Sequence, residues 1–405
     1  GPVVVALPED MLADRVEIPD AEPYRVARPH PGAGDMTRMR EMLAAAQRPI
    51  VIAGGAGWSP AASRDLTAWA EANALPVACA FRRQDAFDNT HSLYAGDVGI
   101  GINPALQKRI GESDLVIALG PRLGEMTTGG YTLFAIPRPR QALIHVHCDA
   151  NELGRVYNAD LPILSGLAEF CAAARALSPI ADPPWRGEGA RAHADYLAFA
   201  TPTTMPGAVD LGKIMTWLGE RLPADAIVAN GAGNYTTWVH RFHKFRRPGT
   251  QLAPTSGAMG YGFPAAIAAK LRHPDRVVLA FAGDGCFLMT GQELASAVQH
   301  DIAVITLVIN NGMYGTIRMH QEREFPGRVF GTDLVNPDFA AYARAFGALG
   351  EKVERTEDFA PAFERALAAR KPALIELVID PEAINTRTTL SAIRRAALAA
   401  KGAST

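Results

Sequence analysis

An aspartate between two glycines (Gly283, Asp284, Gly285) and a pair of asparagines (Asn310, Asn311) stand 27 positions apart, counted from Asp284 to Asn311. Each group ends an apolar run. Residues 276–282 (RVVLAFA) and 303–309 (AVITLVI) have the unbroken apolar character of buried parallel strands. Between them, residues 291–300 predict one short helix with Leu294, Ala297 and Val298 on a single face. Strand, helix and strand make a βαβ unit, so the strands run parallel. Asp284 and Asn311 then lie past the carboxyl ends of neighbouring strands about 4.8 Å apart, where open α/β sheets bind ligands.

A carboxylate and an amide oxygen at that spacing suit Mg²⁺, which takes hard oxygens at about 2.1 Å and keeps places for phosphate oxygens and water. A carbonyl in the following turn would be a third protein oxygen. Gly283 and Gly285 leave backbone N–H groups open to a phosphate. A helix starting near Gly291 would point its amino end at the same anion. Gly, Asp and Asn are also ordinary turn residues. The strand–helix–strand spacer is what sets this pattern apart from two plain turns.

The elements that carry these groups belong to an α/β chain with two doubly wound parallel-sheet domains. Residues 1–34 read as a strand followed by a linker whose Pro19, Pro23, Pro29 and Pro31 discourage regular structure. Residues 35–178 form a central domain of nucleotide-binding type. Asp35 is expected to cap a helix reaching Ala46, followed by strand IVIA, a glycine turn and a helix over 59–73. PVACA, LVIALG and LIHVHCD supply further strands. Residues 179–204 are a connector rich in Pro and Gly. Residues 205–381 hold the Asp284 and Asn311 constellation, and the Ala- and Arg-rich tail 382–405 is helical in part.

Composition excludes several classes. With 40 Lys and Arg against 42 Asp and Glu the net charge is −2, which leaves no nucleic-acid or membrane footprint. The basic run HRFHKFRRP (240–248) is read as a solvated or interface-facing helix end. Four scattered cysteines without metal spacing point to a reduced, cytoplasmic setting.

The Gly-Asp-Gly and Asn-Asn pattern resembles the thiamin diphosphate binding motif. TSGAMGYGFPAAIAAKL (255–271), IVANGAGNYTTW (227–238), RPIVIAGGAG (48–57) and SDLVIALGPRLGE (113–125) are similar to segments of the acetolactate synthase family of thiamin diphosphate enzymes. The resemblance implies Mg²⁺ held by Asp284, Asn311 and the Met313 carbonyl. It implies a diphosphate lying along Ala232, Gly233, Asn234, Gly283, Gly285 and Cys286, with Tyr314 beside it. Met259 would bend the cofactor, which makes it a catalytic position, and the Gly257 carbonyl would accept from the pyrimidine amino group. The activity implied is decarboxylation of a 2-oxo acid, with carboligation to a second carbonyl. The rival readings are an acyl transferase of the same superfamily and a non-catalytic protein of this fold.

Thr316, Ile317 and His320 fall where relatives shape the substrate pocket. His320 replaces the tryptophan by which acetolactate synthases select a second 2-oxo acid, and a histidine there could handle a proton. Arg318 could meet a substrate carboxylate. Relatives also carry a pyrimidine-binding domain whose glutamate activates the cofactor across a subunit interface. That domain is expected from a longer protein or a partner chain in a homodimer or homotetramer, so these 405 residues alone are expected to be inactive. The central domain resembles one that holds FAD in relatives. AGGAGWS (53–59) lacks the third glycine of a dinucleotide fingerprint, and His147 stands where many flavin binders have an acid, so FAD and an empty domain both stay open.

Overall fold

In the computed structural model, residues 3–402 are described. The central domain contains strands β1 Pro49–Ala53, β2 Val77–Cys79, β3 Tyr94–Asp97, β4 Leu115–Leu119, β5 Ala142–His147 and β6 Leu161–Leu164. The second contains β7 Ile227–Asn230, β8 Gln251–Leu252, β9 Val278–Gly283, β10 Ile305–Asn310, β11 Leu349–Val353 and β12 Ala373–Val378. The sheet orders are β3-β2-β1-β4-β5-β6 and β11-β12-β10-β9-β7-β8. All pairings within the sheets are parallel. Two doubly wound α/β domains are thus what the chain forms.

Parallel strands are buried on both faces, which is why their sequences do not alternate. In β1 and β4, Val51, Ala53, Ile117 and Leu119 pack into one core, and Ile50, Ile52, Val116 and Ala118 into the opposite one. Leu279, Phe281, Leu307 and Ile309 divide in the same way from Val278, Ala280, Ala282 and Val308. The central sheet reverses its winding between β1 and β4; the second reverses between β7 and β9, and at its far edge the chain steps back from β11 to β12. A crevice opens at such a reversal because the flanking loops leave in opposite directions.

Four expectations change. Gly32, not Asp35, is the N-cap of helix Ala33–Ala45, because Asp35 already lies within the first turn. Ser59 does cap Pro60–Ala72, its hydroxyl accepting from the Ala62 N–H at 3.1 Å. The stretch 179–204 is not a bare connector. It contains helix Glu188–Phe199, which buries Gly189, Ala192 and Tyr196 on the β3 side of the central sheet. Between β9 and β10 there are two helical pieces, Asp284–Phe287 and Leu294–Gln299, joined by the 3₁₀ turn Gly291–Glu293. The helical turn at the strand end therefore opens on Asp284 itself, and Gly291 is packed under the Phe287 ring. Residues 3–8 are exposed and form no strand, since nothing in the described chain pairs with them.

The basic run 240–248 faces the domain junction. His240, on helix Thr236–Phe242, reaches Asn230 Oδ1 with Nε2 at 3.2 Å, and the His243 ring packs against Phe245. Burial lowers the two imidazoles to about 3 and about 4, with Arg82 and Arg246 adding repulsion respectively. Their contribution to stability is therefore complete above the unfolded value near 6.5 and is lost as pH falls through those lowered values. We expect both ring C–H proton resonances to stay at their neutral positions in an NMR titration from pH 8 to pH 5. Movement with a midpoint near 6.5 would place these rings in solvent.

Candidate functional site

β9 and β10 lie side by side with Ile309 opposite Gly283, so Asp284 and Asn311 leave the sheet along one edge. Asp284 is 3% exposed. Its Oδ1 accepts from the Gly285 N–H at 2.8 Å. Its Oδ2 accepts from the Gly312 N–H at 2.9 Å and from the Asn336 amide at 2.8 Å. Burial pushes this carboxyl up from its ordinary range, and hydrogen bonds from Gly285, Asn336, Gly312 and Met313 pull it back down. None of these influences is a cation. A buried carboxylate is costly unless a positive charge meets it. Asn311 offers an amide oxygen whose recorded partner, the Met313 N–H, is a distant 3.3 Å away. A carboxylate and an amide oxygen with spare lone pairs form the hard donor set that fits Mg²⁺.

Above Asp284 lies a cavity of about 230 Å³. It sits at the β7/β9 reversal, where the turn after β7 contributes Ala232, Gly233 and Asn234 and the end of β9 contributes Gly283, Asp284, Gly285 and Cys286. Gly257 and Met259 come from the loop after β8, and Asn311, Met313 and Tyr314 from the turn after β10. Every residue expected along the cofactor thus lines one cavity. Gly257 has φ +74°, and a Cβ built on it would meet nothing within 4 Å, so the cradle has room where only glycine is at ease. A Cβ on Gly285 would instead lie 2.5 Å from the Tyr314 ring. Apolar walls come from Ile309, Trp238 and three residues the sequence reading did not single out, Ile379, Ala383 and Ile384.

Residues 36–174 match the family described as "Thiamine pyrophosphate enzyme, central domain", and residues 231–377 match "Thiamine pyrophosphate enzyme, C-terminal TPP binding domain". The chain belongs to the thiamine pyrophosphate enzymes. The acetolactate synthase large subunit of Corynebacterium glutamicum is 29% identical over 406 residues, covering 95% of this chain and 63% of that protein. The isozyme 2 large subunit of Escherichia coli K12 is 28% identical over 389 residues, covering 94% and 68%. The sulfoacetaldehyde acetyltransferase of Alcaligenes xylosoxydans is 29% identical over 418 residues, covering 94% and 69%. The chain therefore spans 63% of the length of its Corynebacterium relative.

Within this thiamine pyrophosphate enzyme fold, the proposed substrate helix is Gly315–Glu324. Thr316 and Ile317 line the cavity, and the Thr316 hydroxyl donates to Asn234 Oδ1 at 3.0 Å. His320 does not line it and is exposed on the helix. Met319 takes the inward place, with its sulfur 3.4 Å from the Asn234 amide nitrogen. The helical period allows both i+3 and i+4 to share the side of Thr316; here Met319 is the one that meets Asn234, and His320 is exposed. Arg318 is engaged elsewhere, with Glu322 at 3.1 Å and Asp333 at 3.2 Å. Glu322 also binds Arg394 of the tail helix Leu390–Gly402, and its carboxyl is lowered to about 2, chiefly by Arg394.

The other reversal, between β1 and β4, also carries a cavity, of about 480 Å³. Gly55, Gly120, Arg122, Met126, Tyr131 and His147 line it. The expectation of FAD falls on this cavity, and neither the matched descriptions nor the names of these three relatives mention a flavin. Glu152 there is paired with Arg122 at 3.0 Å and Arg155 at 2.9 Å. His145 is buried and binds the Pro121 carbonyl at 2.9 Å. Among the described residues no group of three His, Cys, Asp or Glu side chains is placed to hold a metal ion.

Proposed function

We propose that this chain forms the diphosphate and metal half of a thiamin diphosphate- and Mg²⁺-dependent enzyme acting on 2-oxo acids. The carrying observation is Asp284, a buried carboxylate without a cationic partner at the floor of a cavity beside Asn311. In this reading Asp284, Asn311 and the Met313 carbonyl hold the cation. Gly233, Asn234, Gly285 and Cys286 follow the diphosphate, and Met259 and the Gly257 carbonyl set the shape of the bound cofactor. Bound thiamin diphosphate supplies the nucleophilic carbon and the electron sink for loss of CO₂. The chain's own part is placement: Ile309, Ile379 and Ile384 exclude water, and the Thr316–Asn234 bond fixes the wall next to the substrate.

A pyrimidine-binding domain is proposed to cover the cavity, in a homo-oligomer or from another part of a longer protein. Among the described residues lining the cavity there is no glutamate to activate the cofactor. Tyr261, Leu288, Met289 and Ile317, on the cavity wall or beside its loops, are 40–53% exposed, an apolar surface suited to such a cover. A cytoplasmic setting belongs to the same proposal. Among the described residues no helix is long and apolar enough to cross a membrane.

Calorimetry with Mg²⁺ and thiamin diphosphate tests the reading. Binding that disappears with EDTA is expected, and metal-independent or absent binding would refute it. We further expect no steady CO₂ release from pyruvate by these residues alone, and release once a pyrimidine-binding domain is supplied. The acetyltransferase relative keeps acyl transfer in view as the second reading. Product analysis with phosphate or coenzyme A present against an aldehyde acceptor decides between the two.

A further inference from the structure

Asn336 lies 52 residues beyond Asp284, in the loop that precedes helix Phe339–Ala345. Its amide nitrogen donates twice, to Asp284 Oδ2 at 2.8 Å and to Asn310 Oδ1 at 2.8 Å. The Asn310 amide nitrogen in turn donates to Glu376 Oε1 at 2.7 Å. Glu376 sits within β12 and is 2% exposed. A chain of side chains thus crosses three adjacent strands, from β12 through the end of β10 to the end of β9.

The geometry of that chain selects one oxygen of Asp284. A carboxylate oxygen has two in-plane lone-pair directions. Of the bonds with measured distances, Oδ2 receives two, from Gly312 N–H and Asn336, whereas Oδ1 receives one, from Gly285 N–H. Both N–H groups of Asn336 are committed, so its planar amide cannot turn without losing a bond. Its own oxygen is left buried without a partner. Glu376 Oε1 accepts from the Asn310 amide nitrogen, which turns the Asn310 oxygen towards Asn336.

We propose that Asn336 is a positioning residue for the metal ligand: it saturates Asp284 Oδ2 so that Oδ1 is the oxygen presented to the divalent cation. Glu376, acting through Asn310, holds Asn336 in the donating orientation. This rests on the reading of Asp284 as a ligand of Mg²⁺. Partners of ligating groups typically govern metal affinity by 10- to 100-fold, roughly.

The test measures metal affinity apart from turnover. Trp238 lines the cavity, so its fluorescence reports Mg²⁺-dependent binding of thiamin diphosphate at fixed cofactor concentration. For Asn336→Leu the Mg²⁺ midpoint is expected to rise about 10- to 100-fold. Glu376→Gln, which keeps an acceptor for Asn310, is expected to stay within about twofold of the parent, while Glu376→Leu shifts in the direction of Asn336→Leu. Unfolding without metal is recorded for each. A folded Asn336→Leu with the parent's midpoint overturns the proposal. Should Asn336→Leu not fold, the Glu376 pair decides, and equal midpoints for Gln and Leu overturn it. If the parent chain shows no metal-dependent signal at all, the Mg²⁺ reading itself fails, which is a distinct result.

Discussion

Asp284→Ala is expected to remove Mg²⁺-dependent binding of thiamin diphosphate, with affinity falling by at least about two orders of magnitude, while the chain stays folded. A carboxylate is the one charged protein donor in the proposed set, and an octahedral Mg²⁺ site has few substitutes for it. The cost to the fold is small for a physical reason. Asp284 is buried without a cation, so the parent carries an uncompensated charge that alanine removes. Against this, the N–H groups of Gly285 and Gly312 and the Asn336 amide lose their acceptor, at about 1–3 kcal/mol for each group left dry. Water entering the adjacent cavity meets part of that loss. Thermal unfolding measures both effects. Cofactor at 100 times its Kd stabilises a chain by about 2.7 kcal/mol, and that increment should vanish in the variant. An increment that survives in Asp284→Ala would mean that the diphosphate is held without this metal ligand.

The lining of the cavity beside Asp284 was legible because it is made of backbone-dictated residues. Glycine at 257, 283 and 285 and the Asp284 and Asn311 pair mark strand ends whatever else surrounds them, and the parallel strands that carry them announce themselves by unbroken apolar runs. What the sequence hid is what depends on helical phase and on distant contacts. His320 was expected at the pocket, yet it is exposed and Met319 is the side chain that meets Asn234; helical period alone admits both positions, so packing rather than spacing separates them. β3, β6, β8 and β11 escaped notice because they are short or edge strands with mixed composition; β12, central and mostly apolar, was not named either. Asn336 and Glu376 carry no local signal. An asparagine before a proline and a glutamate inside a strand gain meaning only when three strands bring them beside Asp284. The same holds for the loop from Phe81 to Asn89, whose side chains reach into the other domain.

That loop is the basis of the second large effect. Asp85 is 7% exposed, and its Oδ2 accepts from three successive backbone N–H groups of the other domain, Gly249 at 2.7 Å, Thr250 at 3.1 Å and Gln251 at 3.3 Å. Around it, Gln84 N–H donates to Gln251 Oε1 at 2.7 Å, and Gln251 Nε2 returns a bond to Gln84 Oε1 at 2.9 Å. Phe245 N–H reaches Asn89 Oδ1 at 2.9 Å, and Arg82 binds the Pro254 carbonyl. Burial raises the Asp85 carboxyl, while the N–H groups of Gln251, Gly249 and Thr250 and the charge of nearby Arg83 pull it back down. Asp85→Ala leaves those groups unmet in a dry junction, at about 3–5 kcal/mol in total. Asp85→Asn keeps one acceptor oxygen without charge and should lose less than half as much. The expected reading in urea is a lower midpoint for alanine than for asparagine, with separate transitions for the two domains in the alanine variant. A single transition at the parent's midpoint would show that water replaces the carboxylate at no cost. Because β8 leads through Pro254 to Gly257 and Met259, a loosened junction should also weaken thiamin diphosphate binding, without touching any residue that lines the cavity.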